Sequence, residues 1–598
     1  MLFMSLLRLR ATLIGSLFAL SSFATSVNYT ISFPQPQTHY AEVEMQIVDW
    51  KGGPLDLRMP VWAPGSYMVR DFSRFVESVS AIDAKGNNLK YTRSAKNGWK
   101  FNAPSGNVTI KYSVYAYELT VRTSFIDTDH AFLNGTSIFL YAEVGKAWPI
   151  TVKVNPHTSW SRTSVALESV GVNTYAAADY DLLADSPLEI GNHPVFGFTA
   201  SGVQHEVAMF GEGNYDTLRL QKDMKRIVEE CTSIFGSHPC KKYLFIIHNL
   251  SSGGGGLEHL NSTTLQTGRF SYSNESSYTG FLSLVAHEYF HLWNVKRLRP
   301  AELGPFDYNN ENHSNLLWFS EGFTAYYDDL IVRRCGFTSP ENYLSTLAGN
   351  FSYVTNTPGS KVQSLEESSY DAWIKFYRPH ENSANNSVSY YTKGAAAGAI
   401  MDLSIRQATA GRKSLDDVMK QLYQKYYLDN NGKKGFTSGD FIAMLNQISG
   451  KSQDALYNQL ITGTDSISFG NYLSVAGLQI ADLNSKSSAA WVGIGSSFKE
   501  NKLTISTVER NGPGWKSGLN VNDEIIAVNK LRAGDDLSKL LLNYKAGNSV
   551  TFTIARGGVL REIPVTLATS PAVKFSITPA TDASQSSKDT YNNWLRVK

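Results

Sequence analysis

Two histidines four residues apart, in the run His287-Glu288-Tyr289-Phe290-His291, constrain this chain more than any other feature. On a helix that spacing stacks both imidazoles on one face. Leu284 falls on the same stripe, and the flanking Gly280-Phe281-Leu282-Ser283-Leu284-Val285-Ala286 and Leu292-Trp293 are strongly apolar, so the rings point inward. Buried polar groups need partners. A satisfied core histidine pair would meet that need, but a metal meets it more simply. Two neutral imidazoles and one carboxylate make a zinc site with an open position for water. Glu288, between the histidines, is then placed to act as the base in hydrolysis.

The carboxylate must come from a second helix. Glu321 in Trp318-Phe319-Ser320-Glu321-Gly322 is the candidate, with Thr324 and Asp328 on its face at i+3 and i+7. Either could hold a histidine's other N–H.

The 598 residues, 42% hydrophobic, predict a globular chain of roughly three to five domains. A formal net charge of +2 without a basic run argues against a nucleic-acid partner. Arg8 and Arg10, the apolar Ala11 to Leu20 and the small-x-small Ser22-Phe23-Ala24 read as a secretory signal peptide cut near Ala24. Export to the periplasm or the medium is therefore expected. The apolar segment is too short for a membrane anchor, and no later stretch predicts a stable span. Of three cysteines, Cys231 and Cys240 are close enough in sequence to bridge, leaving Cys335 over.

Short alternating runs such as Ala41 to Val48 and Val108 to Val114, separated by Gly, Pro and Asn turns, predict an antiparallel β sandwich over the first third of the chain. Helical pattern begins near Leu218, and a strand follows at Tyr243 to Ile247. Helical runs dominate from about 340 to 465. A β-rich module then precedes a polar tail.

Two further segments carry chemistry. Gly253-Gly254-Gly255-Gly256-Leu257-Glu258-His259 lets backbone approach a ligand closely, and an extended peptide could add there as a strand. Glu258 would capture a peptide's α-ammonium and limit how far it enters. Gly255, Gly256 and His259 stand beside it as candidate substrate contacts; a flexible loop with an incidental acid is the alternative. Tyr391 in Tyr390-Tyr391-Thr392-Lys393-Gly394 could donate a hydrogen bond to an oxyanion, or be one more core or surface tyrosine among 31.

These motifs, together with Pro60-Val61-Trp62-Ala63-Pro64-Gly65-Ser66-Tyr67 through Phe72, resemble the glycyl aminopeptidase family of zinc peptidases, over nearly the whole mature chain and in the expected order. The resemblance implies a multidomain α+β protein. It implies an N-terminal antiparallel β domain (25–198), a thermolysin-like zinc catalytic domain (199–345), a helical domain (346–469) and a C-terminal PDZ domain (470–572), between a signal peptide (1–24) and a tail (573–598). It implies one zinc ion held by His287, His291 and Glu321. Glu288 would be the base, Glu258 the amine anchor, Tyr391 the oxyanion donor. A preference for N-terminal glycine or alanine belongs to the family and is not written in these residues. One departure stands out: an Asp is usual four residues after the third ligand, and here that position is Ala325. Trp491-Val492-Gly493-Ile494 resembles a PDZ carboxylate-binding loop, which makes Val492, Gly493 and Ile494 the candidate groove for a C-terminal peptide; a groove filled from within is the alternative. The expected activity is removal of N-terminal residues from peptides with a free amine. The competing readings are a PDZ-guided endopeptidase and an inactive, PDZ-containing peptide-binding protein.

Overall fold

The computed structural model describes residues 25–597; the segment 1–24, expected to be a signal peptide, lies outside them. The chain has an N-terminal β region, a mixed catalytic layer, a helical middle region and a PDZ-like β unit.

In the N-terminal region the strands form one seven-stranded and two four-stranded sheets. The period-two pattern is real: buried and more exposed residues alternate along Tyr40–Trp50 and Gly106–Tyr115, which pair antiparallel with Tyr40 opposite Tyr115. The sheet is not wholly antiparallel, however. The first strand, Ser26–Ser32, takes Ile150–Asn155 as a parallel neighbour, Val27 opposite Ile150. The long stretch of chain between them permits the crossover that a parallel pair requires.

The catalytic layer is a five-stranded mixed sheet whose central strand, Lys242–Leu250, is buried on both faces between parallel neighbours. That double burial explains the unbroken apolar run Tyr243 to Ile247. The helices Thr217–Phe235 and Glu275–Phe290 cover it, and one continuous core joins them to the middle helices Pro340–Asn356 and Tyr390–Ala408. The loop from Pro60 to Phe72 leaves the N-terminal sheets and plants Val61, Trp62 and Tyr67 in this core, with Trp62 Nε1 donating to Asp307 O at 2.8 Å. Cys231, Cys240 and Cys335 are buried and free, without the bridge that spacing allowed. No helix among the described residues is long and apolar enough to cross a membrane.

A buried charge cluster ties the β region to the catalytic sheet. Glu189 accepts from His130 Nδ1 at 2.7 Å and His248 Nε2 at 2.8 Å, and all three side chains are sealed from solvent. Burial alone would raise the Glu189 carboxyl, but the two imidazoles hold it down at about 2. A carboxyl depressed from 4.5 stabilises the fold above its unfolded value and loses that contribution as pH falls from about 4.5 toward 2. The shift corresponds to about 3 kcal/mol. Chemical denaturation across pH 2–6 should show a stability slope in that window that Glu189→Gln flattens; an unchanged slope would sink this assignment.

The PDZ-like unit has its own core, Val492 to Leu567. The segments on either side of it, predicted as part of the module and as a loose tail, are placed elsewhere. Leu478–Asp482 pairs antiparallel with Phe575–Pro579, and Leu478 and Ile577 are buried in the catalytic-helical core. Beyond them Gln585–Leu595 is a helix that buries Trp594 and Leu595 in the same core. The tail's polar composition hid this because two large apolar residues near its end suffice to dock one helix face.

Candidate metal centre and peptide cleft

The helix Glu275–Phe290 carries His287 and Glu288 on its last turn; His291 is its C-cap, still with helical backbone angles. The facing segment starts as a fully buried π turn, Trp318–Phe323, and continues as the α-helix Thr324–Arg334. Glu321 Oε2 reaches across to lie 3.5 Å from His287 Nε2 and 3.2 Å from His291 Nε2. One donor atom from each of the three residues falls within 4.8 Å of the others.

The far side of each ring is fixed. His287 Nδ1–H donates to Asp328 Oδ2 at 2.8 Å, and His291 Nδ1–H donates to Asn294 O at 2.6 Å. Carboxylates and carbonyls only accept, so each ring keeps a proton on Nδ1 and presents Nε2 to Glu321. Asn294 Nδ2 in turn donates to the carbonyls of Phe319 and Ser320 and to Thr324 Oγ1. Two turns beyond Glu321, Asp328 supplies the acceptor for His287 that Ala325 cannot, and Thr324 braces the turn that orients His291. Against the pull of burial, the imidazoles of His291 and His287 hold the Glu321 carboxyl down at about 2, so it is ionised as a ligand must be. Two oriented imidazoles and an ionised carboxylate suit zinc. Close by, Glu288 Oε2 and Glu258 Oε1 are buried without hydrogen-bond partners, as groups reserved for a ligand would be.

Burial pushes the Glu288 carboxyl up to about 7 while the two imidazoles oppose the rise. Space for it is made by Gly256, where a Cβ would come within 2.2 Å of Glu288 Oε1. Gly256 lies on Gly255–Glu258, one of the two edge strands of the catalytic sheet. One side of this strand pairs antiparallel with Ser262–Gly268. At its end Glu258 joins Glu288 and His291 in a second cluster whose oxygen and nitrogen atoms lie within 4.8 Å of one another. Glu258 is seated against Gly65 of the N-terminal region, where a Cβ would meet its Oε1 at 2.5 Å.

Tyr391 lies in the first turn of the helix Tyr390–Ala408. One turn on, Gly394 crosses Gly322 backbone to backbone; a Cβ on Gly322 would lie 2.6 Å from Gly394 Cα. That contact brings Tyr391 to the metal centre, its ring 6.3 Å from that of His287 and 20° from parallel to it. The Tyr391 and Tyr377 hydroxyls are 3.3 Å apart, and burial raises both pKa values, keeping them as donors. The resulting cleft, about 350 Å³, is lined by the three metal-site donors with Gly65, Arg122, Gly256, Glu258, Glu288 and Tyr391 among others.

Two predicted contacts are placed differently. His259 is buried and faces away from the cleft: Asp185 Oδ1 accepts from its Nδ1 at 3.0 Å and from Lys296 Nζ at 2.8 Å, which braces the end of the Glu258 strand. In the PDZ-like unit, Val492 belongs to the core and is no groove wall. Its carbonyl accepts from Gly514 N–H, and Gly493, at φ +71°, accepts from Glu509 N–H. Ile494 opens Ile494–Lys499, one of the two edge strands of that sheet. Gly65, Arg122 and Tyr377 were not singled out as site residues. Gly65 falls in the quoted Pro60 to Phe72 segment, whereas nothing in the sequence around Arg122 marks it.

Three family models match: the peptidase M61 N-terminal domain at residues 28–192, the M61 glycyl aminopeptidase at 280–397 and a PDZ domain at 491–567. Among solved structures, one titled as an aminopeptidase N family protein from Idiomarina loihiensis is 28% identical with a TM-score of 0.88, covering 95% of this chain and 100% of that one. An M1 zinc metallopeptidase from Deinococcus radiodurans is far more distant, at 14% identity and a TM-score of 0.47 over 74% of this chain and 94% of that one. No curated protein matches.

Proposed function

As a chain built from the two M61 domains and a PDZ domain, this protein is a peptidase of the M61 glycyl aminopeptidase family, and we propose that it is an exported zinc aminopeptidase releasing small N-terminal residues, glycine or alanine, from peptides. One observation carries the reading. The unpartnered carboxylate of Glu258 lies in one tight cluster with Glu288 and His291, so an amine held by Glu258 leaves room for a single residue before the reacting carbonyl.

Zinc held by His287, His291 and Glu321 would supply Lewis acidity to the carbonyl and lower the pKa of an attacking water. The chain's own groups do the rest. Gly255 to Glu258 offers an edge strand to an extended peptide. Glu258 accepts hydrogen bonds from the α-ammonium. Glu288 takes the water's proton and hands it to the departing nitrogen. The Tyr391 hydroxyl donates to the oxygen that gains charge, with Tyr377 holding it in place. The loop around Gly65 excludes water behind the amine. Export follows from the signal-like first residues, and the small-residue preference from the family resemblance. The PDZ edge strand Ile494–Lys499 is proposed to receive a C-terminal peptide.

A panel of aminoacyl reporters, free and N-acetylated, with and without a chelator, tests this. Free-amine glycyl and alanyl substrates should be cleaved best, and the chelator should stop turnover. Glu258→Ala should cut the preference for free amines by about 10- to 100-fold, the worth of one buried charge-assisted contact. Equal free-to-blocked ratios in wild type and variant would remove Glu258 as the anchor; brisk cleavage of blocked peptides would favour an endopeptidase.

A further inference from the structure

Among the described residues, one cation in the cleft makes no ion pair. Arg122 lines it together with Glu258, His287 and Tyr391. It comes from the loop between the N-terminal strands Gly106–Tyr115 and Phe125–Ile126. That loop is tied down: Thr123 Oγ1 donates to Glu118 O at 2.6 Å, Arg122 N–H to Thr120 Oγ1 at 3.2 Å and Glu118 N–H to Ser124 O at 3.2 Å. Such ties position a side chain before any ligand arrives.

The guanidinium itself is left alone. Arg122 Nε is buried with no hydrogen-bond partner. Beside it Arg70 donates from Nη2 to Ser66 Oγ at 3.0 Å, and its Nε is also buried and unpartnered. Among the described residues the ion pairs of this region join other groups, Lys96 with Asp71 and Arg58 with Asp56, and none joins Arg70 or Arg122. Burial first, and then the nearby Arg122, lowers the Arg70 pKa, with Glu118 and Tyr377 offsetting part of that. Two partly desolvated cations side by side are costly until an anion reaches them. The planar guanidinium fork matches a carboxylate. In the same cleft Glu258 is an unpartnered carboxylate, so the site offers one charge to each end of a small zwitterion.

We propose that Arg122, backed by Arg70, receives a carboxylate on the leaving-group side of the substrate, so that the enzyme takes short peptides of two or three residues with both ends free. This rests on the aminopeptidase reading in that Glu258 fixes the other end. A volume of about 350 Å³, at the small end of ligand pockets, suits such substrates.

The test compares trialanine, its C-terminal amide and the amide of Ala-Asp-Ala. It uses rates with the wild-type zinc enzyme and calorimetric binding with the Glu288→Gln variant. Trialanine should exceed its amide in kcat/KM and in affinity by about tenfold or more, mostly through KM. Arg122→Gln should bring that ratio close to one, and Arg122→Lys should restore part of it. A gain for Ala-Asp-Ala amide over trialanine amide, lost in Arg122→Gln, would keep Arg122 as a carboxylate seat but assign it to an acidic side chain, overturning the restriction to short peptides. Equal binding and turnover of all three, or a preference that survives Arg122→Gln, overturns the proposal outright. Cleavage of N-acetyl-trialanine as fast as trialanine, with the acid-over-amide ratio intact, would fault the amine anchor and leave Arg122 standing.

Discussion

Glu288→Gln is expected to lower kcat by about a thousandfold or more while leaving the metal content at one zinc per chain, read by turnover of an alanyl reporter alongside elemental analysis. The separation follows from the geometry. Glu288 supplies none of the three close donor atoms contributed by His287, His291 and Glu321, so the amide leaves that set intact. It removes the one carboxylate that is buried beside the set, raised toward neutrality by that burial and free of any hydrogen-bond partner at Oε2. Glutamine fills the same space under Gly256 but cannot accept and return a proton. Wild-type-like rates in the variant would reject Glu288 as the proton carrier. Loss of zinc together with activity would mean that it serves the metal instead.

The largest effect on stability is expected from Trp594→Ala, about 3–5 kcal/mol, the range for truncating a large buried aromatic. Trp594 is fully buried near the end of the chain. Its Nε1 donates to Tyr326 OH at 2.9 Å, and that hydroxyl donates to Asp402 Oδ2 at 2.7 Å. Its ring meets Tyr343 edge-on at 5.7 Å. Arg333 and Arg334 donate to the carbonyls of Leu595 and Trp594, and Arg596 pairs with Glu230. Alanine would therefore open a cavity and undo a chain of hydrogen bonds that passes through Tyr326, on the helix carrying Asp328, to Asp402 on the helix Tyr390–Ala408. Trp594→Phe keeps most of the packing and should lose only about 1 kcal/mol, for the missing N–H. Guanidinium unfolding of both variants measures this; a Trp594→Ala midpoint equal to wild type would show that the C-terminal helix is not part of the catalytic core.

Much of the site could be read from the sequence because its key residues lie at helical spacings: His287 and His291 at i and i+4, Glu321 with Asp328 at i and i+7. Such spacings fix a face before any fold is known. Tyr391 was visible only through its motif; the physical reason it arrives, the Gly322–Gly394 crossing, is a contact between distant segments that no local pattern encodes. His259 was misplaced for the converse reason: adjacent residues at a strand's end point in opposite directions, so Glu258 facing the cleft sends His259 toward Asp185. Arg122 and Gly65 come from a different layer altogether. Likewise the alternation of the N-terminal strands shows which residues turn inward but not which strand neighbours which, so the parallel pairing of Val27 with Ile150 stayed hidden.

The ribbon Leu478–Asp482 with Phe575–Pro579 sets the route of the chain around the PDZ-like unit, since Asp482 and Phe575 stand directly opposite each other. That unit is an excursion with adjoining exits, and the polypeptide must come home from it to finish the enzyme's interior. A stop codon placed before the unit would therefore discard Ile577, Trp594 and Leu595 along with it. Only an internal excision, rejoining the two sides of the ribbon with a tight turn, could yield a variant lacking the PDZ-like unit yet keeping a sealed catalytic body.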